Sequence, residues 1–324
     1  ALVKRDPDNI QFQKKLAVCY SGLGEVYLSL IQTDKALLAY EASLPIYNAV
    51  VERQPSNTYF QLKLSFAQGR LGQLYLKLGK IDKAKRSFEA SLKISDELMQ
   101  LDQGNLMFQY SLCVSYQQFG ELYFELGYNH EAEKSFGTSL SIIEALVKRT
   151  PNNTIYQKNL GCSHYKLGEL FLRMENIDKA KQAFKASLNV RKALVSRDVG
   201  NTDYQLVLGD THSRLGEVYL CLRKNDKAQE AFRLSLEINE ALAKQVPDKL
   251  EFQYKFLTSY QKIGEFYFSL GDKSKALQTF ETSVRVSNLL IQRKPDNTRL
   301  KYSLCVSQQK LGDLYVSLID FHKA

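Results

Sequence analysis

Seven glycines at a strict interval of 48 residues constrain this chain more than any other feature. Gly24, Gly72, Gly120, Gly168, Gly216, Gly264 and Gly312 each sit in a five-residue block close to Leu-Gly-Glu-Leu-Tyr. The blocks run from Leu23-Gly24-Glu25-Val26-Tyr27 to Leu311-Gly312-Asp313-Leu314-Tyr315, and no insertion interrupts the spacing. A fixed period of this size marks a solenoid, in which each unit buries its apolar face against the next. The sequence therefore predicts one all-α solenoid over 1–324, built from repeats 1–48, 49–96, 97–144, 145–192, 193–240 and 241–288 and a partial copy, 289–324. The first residues match the end of a later repeat and the last match the start of one. That pattern is expected of a piece of a longer protein, because solenoids need polar end caps.

One copy shows how the period is filled. In 49–96 the turn Pro55-Ser56-Asn57-Thr58 opens helix A, with Asn57 or Thr58 as cap and Gln61 at capping-box spacing from Thr58. Phe60, Leu64, Leu71, Leu74, Tyr75 and Leu78 then keep to one helical face. Gly79 suits the C′ position, and Asp82 is the expected cap of helix B. Helix B carries Ala84, Phe88, Ser91, Leu92, Ile94, Leu98 and Met99 on its inner side. The glycine inside helix A costs ~1 kcal/mol relative to alanine. The close approach of a neighbouring helix backbone is the expected reason for it. Pro45 falls within the first helix B, where a bend is expected.

Leu71-Gly72, Tyr75, Ala84, Phe88 and Ser91 stand where the tetratricopeptide repeat has its L-G-x-x-Y and A-x-x-x-F-x-x-A signatures. The chain resembles that family along its whole length. The resemblance implies a right-handed superhelix of antiparallel helix pairs whose A helices line a concave groove for peptides. Two departures stand out. The usual period of the family is 34, and the proline that ends its helix B is replaced here by Asp96 and its counterparts. The 14 surplus residues are expected to lengthen both helices.

No Walker loop, HExxH, CxxC pair or G-x-S-x-G elbow occurs, so neither catalytic nor cofactor-binding residues are assigned. His164 and His212 occupy equivalent places but lack a third ligand, and are expected to pack where other copies carry tyrosine. Of the five cysteines, Cys113, Cys162 and Cys305 are expected to be packing thiols; the odd number and absent CxxC point to a reduced, cytoplasmic setting. The net charge of +9 is spread along the repeats and forms no basic tail.

Columns that stacking does not dictate are free to face a partner. On helix A the stripe opposite the core reads Tyr110, Val114, Gln117 and Glu121 in the third copy, and Lys158, Cys162, Tyr165 and Glu169 in the fourth. It continues as Leu206, Asp210, Ser213 and Glu217, then Tyr254, Thr258, Gln261 and Glu265, with Tyr302 beyond. These residues are the expected partner-binding set, for a protein or peptide ligand. A solvated face with scattered aromatics is the alternative. Beside it runs Leu28, Leu76, Phe124, Leu172, Leu220, Phe268 and Val316, either a seam between A helices or an exposed strip. An acidic column (Glu25, Glu121, Glu169, Glu217, Glu265) follows a basic one (Arg70, Lys166, Arg214, Lys262, Lys310) and should pair with it inside each helix. The arginine column Arg5, Arg53, Arg149, Arg197 and Arg293 sits in the last turn of helix B, where cations favour the helix dipole.

The first functional expectation is thus a non-catalytic interaction module, part of a larger protein. Self-association through open solenoid ends is the second. Nucleic-acid binding is the third and weakest, because the aromatic and basic groove pattern of single-strand binders is missing.

Overall fold

The computed structural model describes residue 6, residues 9–30 and residues 32–321, with side chains through residue 318. The matches at Ala1–Arg5 and His322–Ala324 lie outside the described residues. Among those described, thirteen α-helices follow one another and no strand occurs. The A helices are α1 (Ile10–Ser29), α3 (Thr58–Lys77), α5 (Leu106–Leu126), α7 (Thr154–Arg173), α9 (Thr202–Cys221), α11 (Leu250–Ser269) and α13 (Thr298–Phe321). The B helices are α2 (Thr33–Arg53), α4 (Ile81–Leu101), α6 (Asn129–Arg149), α8 (Ile177–Arg197), α10 (Asn225–Gln245) and α12 (Lys273–Arg293). Helices of 20 or 21 residues fill the 48-residue period, so the surplus lengthened the helices, as the periodicity predicts.

The chain divides into two compact units, Ala1–Leu170 and Phe171–Ala324. In the first, α1 packs on α2, α3 on α4 and α5 on α6, and each B helix packs on the next A helix (α2 on α3, α4 on α5). The second unit repeats the scheme from α8 to α13. A helices also touch the next A helix, α3 with α5, α9 with α11 and α11 with α13. No comparable packing joins successive B helices among the described residues. Within each unit the A helices therefore pack on one another as well as on their B helices.

The glycine column answers to rings rather than to backbone. A Cβ at Gly72 would lie 2.5 Å from the Phe88 ring, at Gly120 2.4 Å from Phe136, and at Gly216 2.7 Å from Phe232. Gly24 stands in the same relation to Tyr40, and Gly264 to Phe280. The expectation of a nearby helix backbone is corrected accordingly: the ring of the paired B helix fills the space beside the glycine and is buried there.

Two local expectations also change. Asn57 holds the N-cap position of α3 without a side-chain cap bond, and Gln61 reaches the Pro55 carbonyl at 2.8 Å instead of closing a capping box. Gln109, Gln157, Gln205 and Gln253 make the same bond to residues 103, 151, 199 and 247, so this column clamps each turn between a B helix and the next A helix. Asp82 is inside the first turn of α4, not its cap; the helix begins at Ile81 after Lys80. There it faces the positive end of the helix dipole. Asn9, Asn105, Asn153 and Asn201 do cap their A helices. Pro45 lies within α2, which continues through it.

Helix B contributes a second strict column: Ser43, Ser91, Ser139, Ser187, Ser235 and Ser283 are all buried. In the first unit the Ser65 hydroxyl meets those of Ser91, Ser95 and Ser111 at 3.1, 3.0 and 3.2 Å. In the second, the Arg191 guanidinium bonds the Val207 carbonyl and the Thr211 hydroxyl, both at 2.6 Å. This polar layer inside the stack is satisfied only when successive hairpins meet in register.

Candidate functional site

The helix-A face is laced by charge pairs that reach from one repeat to the next. Arg70 meets Glu25 at 2.9 Å, Lys166 meets Glu121 at 3.9 Å and Lys310 meets Glu265 at 2.9 Å. Lys262 bonds Glu217, and Lys255 meets Asp210 at 2.7 Å. Pairing inside a helix also occurs, Lys166 with Glu169 at 3.6 Å and Arg214 with Glu217 at 2.9 Å. The expected internal pairing is therefore half of the arrangement. The other half ties each A helix to its neighbour. Burial pushes the Glu217 carboxyl up, but Lys262 and Arg214 outweigh it and hold the group below the usual carboxylate range.

One rung differs. Between α3 and α5 the acid and the base are both replaced by amides, Gln73 and Gln118. Gln73 turns to Glu121 and Arg70 instead, while Gln118 folds inward until only 3% of it is exposed. Its amide occupies the space that a side chain at Gly69 would need, the nitrogen lying 2.4 Å from a Cβ placed there.

Two cavities open on either side of this rung. One, of about 630 Å³, has Leu28, Leu76 and Phe124 in its lining, with Arg70, Glu121, Lys166 and Glu169 around them. The apolar column thus serves in the first unit as cavity wall, a role between the two that sequence reasoning offered. The other, of about 610 Å³, is lined by Phe66, Tyr110, Val114, Gln117 and Lys158 among others. Both include Arg70 and Gln73.

The predicted stripe is only partly brought to this surface. The Tyr110 ring packs against Phe66 at 6.1 Å and Tyr156 at 5.3 Å, and its hydroxyl accepts a hydrogen bond from Asn159. Val114 and Gln117 are half-buried beside it, and Gln117 contacts the Cys162 sulfur at 3.4 Å. Lys158 is exposed; Tyr165, Asp210 and Ser213 are half-buried. Glu121, Glu169, Glu217 and Glu265 stand in the charge ladder already described. The Arg299 guanidinium lies 3.8 Å from the Tyr254 ring centre, and Tyr302 is 66% exposed. Two members do not belong to a surface. Leu206 packs with Leu242 and Phe252, and the buried Gln261 donates to Ser303 and Ser307 of the next repeat. Sequence reasoning missed Gly69 and Gln118. Their signal was a second glycine inside a helix and a neutral residue in a column of bases.

The remaining candidates have structural surroundings. Cys113 is buried against Ser139, and burial raises its thiol to about 11. Cys305 is exposed where a packed thiol was expected. His164 lies 4.0 Å from Glu144, and burial lowers its pKa. No group of three or more potential ligands gathers anywhere among the described residues. Arg149 reaches back to the Gly104 carbonyl, so it joins two successive turns as well as facing a helix dipole. No described helix is long and apolar enough to cross a membrane.

The model of the tetratricopeptide repeat matches five times, at residues 67–97, 114–145, 163–193, 209–242 and 257–288. The chain belongs to the tetratricopeptide-repeat family. Tetratricopeptide arrays generally serve as non-catalytic scaffolds for interaction. The fold is shared with BtubC from P. vanneervenii, at a TM-score of 0.61 and 16% identity over 80% of this chain and 92% of that one. It is shared also with the apo form of RapI (0.61, 15%, over 95% and 75%). Aspartyl phosphate phosphatase F from Bacillus subtilis gives 0.54 and 12%, over 95% and 73%. No curated protein sequence matches. The matched segments leave out 98–113, 146–162, 194–208 and 243–256. Each of these is the end of a B helix, a turn and the first part of an A helix. The surplus over an ordinary tetratricopeptide repeat thus lies along the edge of the B-to-A turns, and Tyr110, Ile155, Lys158 and Asn159 of the second cavity fall within it.

Proposed function

We propose that the chain is a protein-interaction module whose helix-A face holds a protein or peptide segment, as one region of a single 48-residue-repeat solenoid. The observation that carries this reading is the pair of adjoining cavities on the A helices of the first unit, with volumes of about 630 and 610 Å³. Both are lined by a mixture of aliphatic, aromatic, amide and charged side chains, the composition that suits a peptide. Charge argues against nucleic acid, because many of the cations along this face are committed to carboxylates of the ladder.

A photocrosslinking amino acid at Val114 or Ser213, in the full-length protein in its own cells, tests the reading. Discrete adducts are expected there, and none from the same group at Ser141 or Glu237 on the exposed sides of B helices. Adducts confined to the B-helix positions would reject the face. Adducts consisting only of further copies of the chain would replace the reading with self-assembly.

A further inference from the structure

We propose that one buried column gives each hairpin an identity of its own, so that an A helix accepts the B helix of its repeat and refuses those of the other repeats. A chain of near-identical hairpins needs such a device. Off-register pairing, within the chain or with a second copy, would bury much the same apolar surface. The glycine column, the ring column and the helix-B serine column cannot prevent it, because each copy carries much the same residue there. Tyr47, Ser95, Ile143, Arg191, Asn239 and Ser287 do differ. They recur at the 48-residue interval, none is more than 6% exposed, and five kinds of side chain stand at the six places. This selection is independent of what the helix-A face holds.

Each is matched to its surroundings in size or in chemistry. Thirty positions earlier, on the paired A helix, stand Ala17, Ser65, Cys113, Gly209 and Leu257, all buried. The large Tyr47 shares a core with the small Ala17. The Asn239 amide of α10 fills the space beside Gly209 of α9, where a Cβ would lie 3.2 Å from its oxygen. The next repeat has the reverse, a large Leu257 on α11 and a small Ser287 on α12, both fully buried. The Ser95 hydroxyl lies 3.0 Å from that of Ser65 and 2.8 Å from that of Ser111 on the following A helix. Ile143 offers no hydrogen bond and packs with Cys113 and Tyr156. Asn239 donates to Ser259 at 2.8 Å, and Arg191 donates to Thr211 at 2.6 Å. Wrong pairs misfit in opposite ways. An amide pressed against leucine overpacks the site, and a serine beside Gly209 leaves a void.

Exchanges between the fifth and sixth repeats of the full chain test this without changing its composition. The first variant swaps the B-helix residues, Asn239→Ser with Ser287→Asn. The second swaps the A-helix residues, Gly209→Leu with Leu257→Gly. The third carries all four substitutions, so that each pair is matched again in the other's place. Denaturant melts and light scattering after refolding compare them with the wild-type chain. Each half exchange is expected to lower the folding equilibrium constant at least about tenfold and to shift the refolded chain toward higher-mass species. The third variant should recover most of the stability and the wild-type mass distribution. Phe280→Leu, an equally buried change in the constant ring column, should lose stability yet refold to the wild-type mass distribution. A third variant no better than the two halves overturns the proposal, whether or not the halves fold. So do half exchanges that refold to the wild-type mass distribution, or misassembly of Phe280→Leu to the same degree.

Discussion

A methyl group placed on Gly120 would come within 2.4 Å of the Phe136 ring, sixteen positions further along the chain. Gly24, Gly72, Gly216 and Gly264 stand in the same relation to a buried ring. Phe136 is almost fully buried and cannot retreat into solvent. Gly120→Ala should therefore lower stability by roughly 1–3 kcal/mol, although alanine is the better helix former. Adding Phe136→Leu should recover part of the loss, which makes the pair non-additive. Denaturant melts of the two single variants and the double variant measure it.

The turns after α3, α5, α7, α9 and α11 each hold a left-handed residue. Gly79, Gly127 and Gly271 supply it with φ of 69°, 80° and 76°. At the same place Glu175 and Arg223 adopt φ of 58° and 54° despite their side chains. Glu175→Gly and Arg223→Gly should each stabilise the fold by about 1 kcal/mol, while Gly127→Ala should cost a similar amount. Thermal melts decide the signs.

His212 is buried, and burial together with nearby Lys192 lowers its pKa to about 4, against the pull of Glu230. The folded chain keeps this imidazole neutral while the unfolded chain protonates it near pH 6.5. Stability is therefore complete above pH 6.5 and falls as pH drops toward 4, by on the order of 2–3 kcal/mol from this group. His212→Tyr, which installs the residue of Tyr116 and Tyr260 in the same column, should flatten the slope of stability against pH over that interval.

Glu217 bridges Arg214 of its own helix and Lys262 of the next. Glu217→Gln leaves both cations without their carboxylate in a half-buried place. A loss of about 1–2 kcal/mol is expected, shrinking as salt is raised. An equal loss at every salt concentration would assign the effect to packing instead.

Much of this fold is legible in the sequence because the repeat writes its core seven times. Period, helix pairing and the ring-bearing faces of Phe60, Tyr75 and Phe88 follow from spacing alone. What spacing conceals is what lies opposite a residue. Gly72 reveals that something approaches it, but not that the Phe88 ring does so rather than a backbone. Gln61 fits a capping box as well as a turn clamp, and only the path of the turn separates the two. The partner stripe fails at Leu206 and Gln261 because a helical wheel treats one helix in isolation. There Phe252 covers Leu206, while Ser303 and Ser307 draw Gln261 inward. The packing of Gln118 over Gly69 was hidden for the same reason, since Gly69 belongs to the preceding A helix.

We propose that a 48-residue hairpin, lengthened at its B-to-A edge, is the unit of folding. Deleting residues 202–249 removes one period and joins α8 to α11 in register, whereas deleting residues 209–242 removes only the segment matched as an ordinary tetratricopeptide repeat. Circular dichroism followed through a thermal melt compares the two. The first deletion is expected to keep the helicity per residue and a cooperative transition, and the second to lose both. Equal folding of the two, or collapse of the first alone, would contradict it.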